Sequence, residues 1–185
     1  MSRNLSNVSL SAWANGEVAL KGAPLLHVQD PDLARSTRDT DVLDLQSRGK
    51  EQIREVICDA MLAEVSNHGR GYDPETVEIR ELRPESEYQG QGIAFRGHLG
   101  TARIPMQIDV GTGDALEQEP VRIEYPGLSS YGRPRLLGSP LESVVAERFE
   151  AVVDLGPVNT RMKDFHDVWR LSRHQRFEGG GSPQR

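Results

Sequence analysis

Apolar residues along this chain follow two different periods, and the change from one to the other marks out its architecture. Ile53, Val56, Ile57, Ala60, Met61 and Val65 recur at helical spacing and predict a helix over 49–66 with one apolar face. Beyond a turn region at 67–74 the period falls to two. Val77 and Ile79 alternate with Glu78 and Arg80, Ile93 and Phe95 follow, and Leu82 is a further candidate. Ile104, Met106, Ile108 and Val110 then alternate with Arg103, Pro105, Gln107 and Asp109 on the opposite face. Pro105 has no N–H to donate, which suggests an edge strand or a bulge there.

The remaining elements are shorter. Val18-Ala19-Leu20 reads as a buried strand, Lys21-Gly22-Ala23-Pro24 as a turn, and 25–28 as a brief apolar helix. The polar stretch 29–38 contains Pro31 and reads as a loop. Val42, Leu43 and Leu45 form another strand with Asp39 and Asp41 at its start, and 121–125 forms one more. Two helices close the chain. In the first, Leu141, Val144, Val145, Arg148, Val152 and Val153 share a stripe between Pro140 and Gly156. The second, 161–173, is capped by Thr160 and places Met162, Phe165 and Trp169 on its apolar side. The expectation is an α+β chain, a mixed or antiparallel sheet with helices. It comprises a core over 1–135, a short C-terminal helical extension over 136–176 packed on that core, and a flexible tail over 177–185.

Composition narrows the picture. The chain is 36% apolar and 27% charged, as a globular protein is. No run approaches the roughly 20 apolar residues of a membrane span, so no membrane association is expected. The first fifteen residues contain no continuous apolar block of a secretory signal. Cys58 is the only cysteine, which excludes an internal disulfide and a multi-cysteine zinc site. A cytoplasmic location follows as the expectation. The net charge of −6 argues against indiscriminate coating of nucleic acid. Yet 161–185 carries six Lys or Arg against three Asp or Glu, either a solvated basic end or a local landing strip for phosphates.

Four groups can carry chemistry. Asp39 and Asp41 are two apart on a strand, so both carboxylates face one side, and a divalent cation relieves their repulsion. Asp109, on the polar face of its strand, is either a solvent-facing acid or a third carboxylate beside that pair. Arg148 lies on an apolar helical stripe, where a guanidinium must find carboxylates, phosphates or a route to solvent. Finally, 159–167 (NTRMKDFHD) opens a helix whose N-terminus favours anions, with Arg161 and Lys163 as phosphate donors and Asp164 as an acid. The five histidines, His27, His68, His98, His166 and His174, read as structural.

Taken in order, LKGAPLL, RSTRDTDVLDL, ARIPMQIDVGTGDA and SVVAERFEAVVDLGPVNTRMKDFHDVWRLS resemble the AbiEii/AbiGii (MenT-like) nucleotidyltransferase toxin family over about 18–179. The resemblance implies a polymerase-β-like nucleotidyltransferase core and a toxin of a toxin–antitoxin system, with a cognate antitoxin. It also implies transfer of nucleotides from an NTP to RNA, at the tRNA 3′ acceptor end, blocking translation with Mg²⁺ or Mn²⁺. By motif, Asp39, Asp41 and Asp109 match the metal-binding and catalytic acids; Arg148 and Asp164 complete the catalytic set. Lys21, Gly22, Thr37, Arg148 and Lys163 match the nucleotide-binding positions. Arg148 stands where the family usually has Lys, and the flanking helical regions are short. The alternatives are a catalytically degenerate nucleotidyltransferase fold serving as a binding or regulatory module, and a phosphotransferase acting on protein hydroxyls.

Overall fold

The computed structural model describes residues 16–29, 37, 39–62, 70–82, 90–112, 119–126, 133–156 and 162–174. The chain divides into two compact units, Met1–Ser139 and Pro140–Arg185.

The first unit is built on a seven-stranded sheet. Its strands are β1 (Val18–Leu20), β2 (Asp39–Asp44), β3 (Arg70–Leu82), β4 (Gly90–Leu99), β5 (Ala102–Thr112), β6 (Val121–Glu124) and β7 (Arg135–Gly138). They lie in the order β3-β4-β5-β2-β1-β7-β6. The sheet is mixed: β2 runs parallel to β5 and β1 parallel to β7, and the remaining pairs are antiparallel. Helix α1 (Gly22–Gln29) follows β1 directly, and α2 (Lys50–Leu62) joins β2 to the β3–β4–β5 meander.

The two-residue alternation works as expected on β5. Ile108 and Val110 are buried with Ile93 and Phe95 of β4, while Arg103 and Pro105 are exposed on the other face. On α2 the expected stripe is buried at Ile53, Ile57, Ala60 and Met61. Its first turn is secured at Gly49, whose carbonyl accepts from Ile53 N–H at 3.0 Å and whose own N–H donates to Gln52 Oε1 at 3.1 Å. Just before Gly49, the Arg48 guanidinium bridges Glu17, ahead of β1, and Asp44, at the end of β2. Asp44 also accepts the backbone N–H of Arg48, so its buried carboxylate is well supplied with donors.

Several elements differ from expectation. Helix α1 begins at Gly22 rather than after Pro24, because a proline in the first helical turn forfeits no helical bond. Strand β3 starts at Arg70, inside the expected turn; a register shift between Asp73 and Glu78 takes Pro74 out of the ladder. Pro105 lies on a strand with neighbours on both sides, but its position is paired only to Arg96 of β4, and the described pairing with β2 begins at Gln107. Arg135–Gly138, assigned in advance to the core's end and the helical extension, is a strand. Gly138 packs tightly there, since a Cβ would displace the side-chain ends of Leu25 and Ile123.

The second unit contains α3 (Leu141–Leu155) and α4 (Met162–His174). Pro140 and Gly156 bound α3 as expected; Gly156 takes a φ of 51° and donates its N–H to the carbonyls of Val152 and Val153. The expected apolar side of α4 is not its buried side. Met162, Phe165 and Trp169 are exposed, whereas Asp164, Asp167 and Leu171 are buried. Val153 of α3 is exposed as well. Among the described residues, no helix is long and apolar enough to cross a membrane. Thr160, Arg161, the segment 63–69 and the tail 177–185 lie outside the described residues.

Candidate functional site

Strand β2 carries Asp39 and Asp41 on one face, and the parallel register with β5 sets Asp41 directly beside Asp109 and Asp39 beside Gln107. Neighbouring strands lie about 4.8 Å apart, so the carboxylates of Asp41 and Asp109 start from adjacent backbone positions. Gln107 is the residue that sequence reasoning passed over. Its Nε2 donates to Asp109 Oδ1 at 2.8 Å and fixes that carboxylate's orientation. The signal was present, since Gln107 precedes Asp109 by two on the same face.

Gly22 completes this end of the sheet. The chain leaves β1, and Lys21 N–H donates to the carbonyl of Asp41 at 2.9 Å. Gly22 then takes a φ of +63°, and a Cβ at this position would overlap the Asp41 carboxylate. Two requirements therefore coincide at one residue: left-handed backbone, and room for an acid at the N-terminal end of α1. Thr37 works on the approach to β2. Its hydroxyl donates to the carbonyl of Asp39 at 3.0 Å and faces the Asp39 N–H at 3.3 Å, which shapes the backbone that presents the first acid.

Among the described residues, no three His, Cys, Asp or Glu side chains converge as a ready metal cluster, so Asp39, Asp41 and Asp109 share a face without forming a closed triad. That arrangement still fits a divalent cation of the Mg²⁺ type. Such an ion is held by one or two carboxylates and keeps its remaining positions for water and substrate phosphates.

Arg148, Asp164 and Asp167 form a separate buried group within the second unit. Arg148 Nη1 donates to Asp164 Oδ1 at 2.8 Å and lies 3.1 Å from Asp167 Oδ2. The arginine side chain is 11% exposed and the two carboxylates 0% and 1%. The guanidinium neither reaches for solvent nor stands alone on its stripe; it joins α3 to α4. Asp167, three residues after Asp164 and on the same helical face, is its second anchor and was not among the expected site residues. The side chain of Lys163 lies outside the described residues.

The mixed sheet with its helices has counterparts among solved structures. Over 90% of this chain, JHP933 from Helicobacter pylori superposes with a TM-score of 0.57 at 16% identity. A second H. pylori protein, provisionally described as a nucleotidyltransferase, superposes over 90% with 0.56 at 15% identity. The matched parts are 62% and 64% of those chains, so this chain spans less than two thirds of their length. The chain belongs to the AbiEii family, "Nucleotidyl transferase AbiEii toxin, Type IV TA system", whose model matches residues 5–181. No curated protein matches it significantly by sequence.

Proposed function

We propose that the protein transfers a nucleotide from a nucleoside triphosphate to RNA, at a tRNA 3′ end in the cytoplasm, on a polymerase-β-like core. The observation that carries this reading is the parallel register of Asp41 and Asp109 beside the Gly22 turn. Two carboxylates that the fold sets side by side on one face offer a divalent cation the one or two oxygen ligands it takes from a protein. Asp39 and Asp41, with Asp109, would hold Mg²⁺ or Mn²⁺, which supplies charge neutralisation for the phosphates when bound.

The chain's own contributions follow from placement. The Gly22 turn leaves room for the Asp41 carboxylate at the start of α1, and Lys21 adds a positive charge beside it for the triphosphate. Thr37 shapes the strand entry, and Gln107 keeps Asp109 oriented to accept a proton from the attacking hydroxyl. Such a reaction needs positioning and electrostatic stabilisation rather than covalent catalysis, and these groups supply both. Arg148, Asp164 and Lys163 enter the reading through the family motif, with Arg148 and Asp164 acting as a bonded pair. The exposed Arg173, stacked 5.1 Å over Trp169, and the rest of the basic 161–176 segment would contact the RNA backbone.

Parallel incubations with α-labelled and with γ-labelled triphosphates, each with Mg²⁺ and total RNA, followed by sizing of the labelled product, test this reading. Label in RNA of tRNA size is expected. Label transferred only from the γ position, or to protein, would overturn it. A second reading, a degenerate fold acting as a binding module, is favoured by the engagement of Arg148 with two buried carboxylates. Triphosphate binding that does not respond to Mg²⁺ would select it.

A further inference from the structure

The face of the sheet that presents Asp39, Asp41 and Asp109 does not end with them. Along β5 the same face continues through Gln107 and Pro105 to Arg103, six residues from Asp109, which is about 20 Å at strand spacing. Beside it on β4 run Ala94, Arg96 and His98, in register with Gln107, Pro105 and Arg103 respectively. Antiparallel register partners point to one side, so Arg96, His98 and Arg103 share the face that carries the acids. All three are exposed. Together with Asp73, Gly97, Gly100 and Thr101 they line a cleft of about 580 Å³ at the far end of the β4–β5 hairpin.

The details fit a site for anions. Gly71 lies opposite His98 in the ladder, and a Cβ on it would collide with the imidazole, so the ring lies across bare backbone. Asp73, paired with Arg96, offsets only one of the two arginines. On β4 and β5 no carboxylate interrupts the path between Asp109 and Arg103; Glu78 stands on β3, the outer strand. On a protein of net charge −6, a pair of fork-shaped guanidinium groups beside an imidazole and the Thr101 hydroxyl matches phosphate oxygens in both charge and geometry.

We infer that Arg96, His98 and Arg103 form a docking site for backbone phosphates of an RNA strand whose reacting end reaches Asp39, Asp41 and Asp109 along the same face. This rests on the transferase reading and adds to it a second point of attachment, several nucleotides from the chemistry. The separation gives the site a consequence for substrate choice: an acceptor too short to span it gains nothing from the cleft.

The test is fluorescence anisotropy with a labelled single-stranded oligoribonucleotide, long enough to span the face, against a labelled dinucleotide. Arg96→Ala/Arg103→Ala is expected to weaken binding of the longer strand by about tenfold or more at low salt and to lower the slope of log affinity against log salt by about 1. It should also narrow the preference for the longer strand. Arg122→Ala, an exposed arginine on β6 away from both groups, is the charge control and should change neither measure. A melting curve for the double variant checks that the exposed substitutions leave the fold intact. Unchanged affinity and slope in the double variant would overturn the inference, as would an equal loss in the control. If the wild-type protein transfers no nucleotide to any RNA, the transferase reading fails, and the binding arms still decide whether the cleft holds phosphates.

Discussion

The Asp41 carboxylate fills the space that a side chain on Gly22 would need. This close approach ties the glycine that opens α1 to an acid of β2 19 residues later, so the placement of that carboxylate, and not the left-handed backbone alone, calls for glycine here. Gly22→Ala combines left-handed strain of about 1–2 kcal/mol with displacement of the acid. Thermal melting should show a loss of several degrees, while nucleotide transfer should fall far more than stability does. Transfer retained at wild-type rate in a folded Gly22→Ala protein would remove the turn from the site.

Asp39→Ala and Asp41→Ala should each abolish transfer with little loss of stability, because both side chains are only half-buried. Turnover at saturating Mg²⁺ and a melting curve for each variant are the measurements. Either variant turning over at close to the wild-type rate would show that the acids do not hold the cation.

Arg148→Ala removes the guanidinium that the buried carboxylates of Asp164 and Asp167 share. Breaking such a buried group from one side costs about 3–5 kcal/mol. Arg148→Leu should be destabilising too, since it fills the volume without supplying charge. Arg148→Lys restores the residue usual in the family but offers a point charge in place of a fork, so partial recovery of stability is expected. Recovery or increase of turnover in Arg148→Lys, measured beside its melting temperature, separates a catalytic contribution from a structural one. A fully stable Arg148→Ala protein would show that the buried contacts contribute little.

Arg48→Ala should lower stability by about 2 kcal/mol, because Arg48 joins Glu17 to the buried Asp44 and so fastens the beginning of β1 to the end of β2. Denaturant unfolding monitored by circular dichroism measures it. Arg48→Lys should recover only part of the loss, as one ammonium replaces two separately bonded guanidinium nitrogens.

Local periodicity made much of this legible. The shared face of Asp39 and Asp41 follows from their spacing, and the alternation around Asp109 identified its polar face correctly. What spacing could not supply was the neighbour. That β5 lies against β2, and in parallel, depends on how distant strands are packed, so the Asp41–Asp109 pairing and the role of Gln107 emerge only in three dimensions. Strand β7 was missed because four residues between a glycine-rich stretch and a proline carry too little pattern. The opposite error occurred on α4. Met162, Phe165 and Trp169 have textually the look of a core stripe, but burial followed the ionic group formed by Asp164, Asp167 and Arg148 instead.

The order in which the strands are joined also has a meaning in time. A ribosome delivers β1, α1 and β2 before the other described elements, and this trio holds Asp39, Asp41 and the Gly22 turn while both edges of its two-stranded ladder still lack their partners, β5 and β7. Asp109 arrives about 70 residues after Asp41, and β7 later still, so closing the sheet demands long-range contacts that form slowly. A growing chain therefore carries the acids well before it carries the site. On the transferase reading proposed above, making the acids and arming them are separate events.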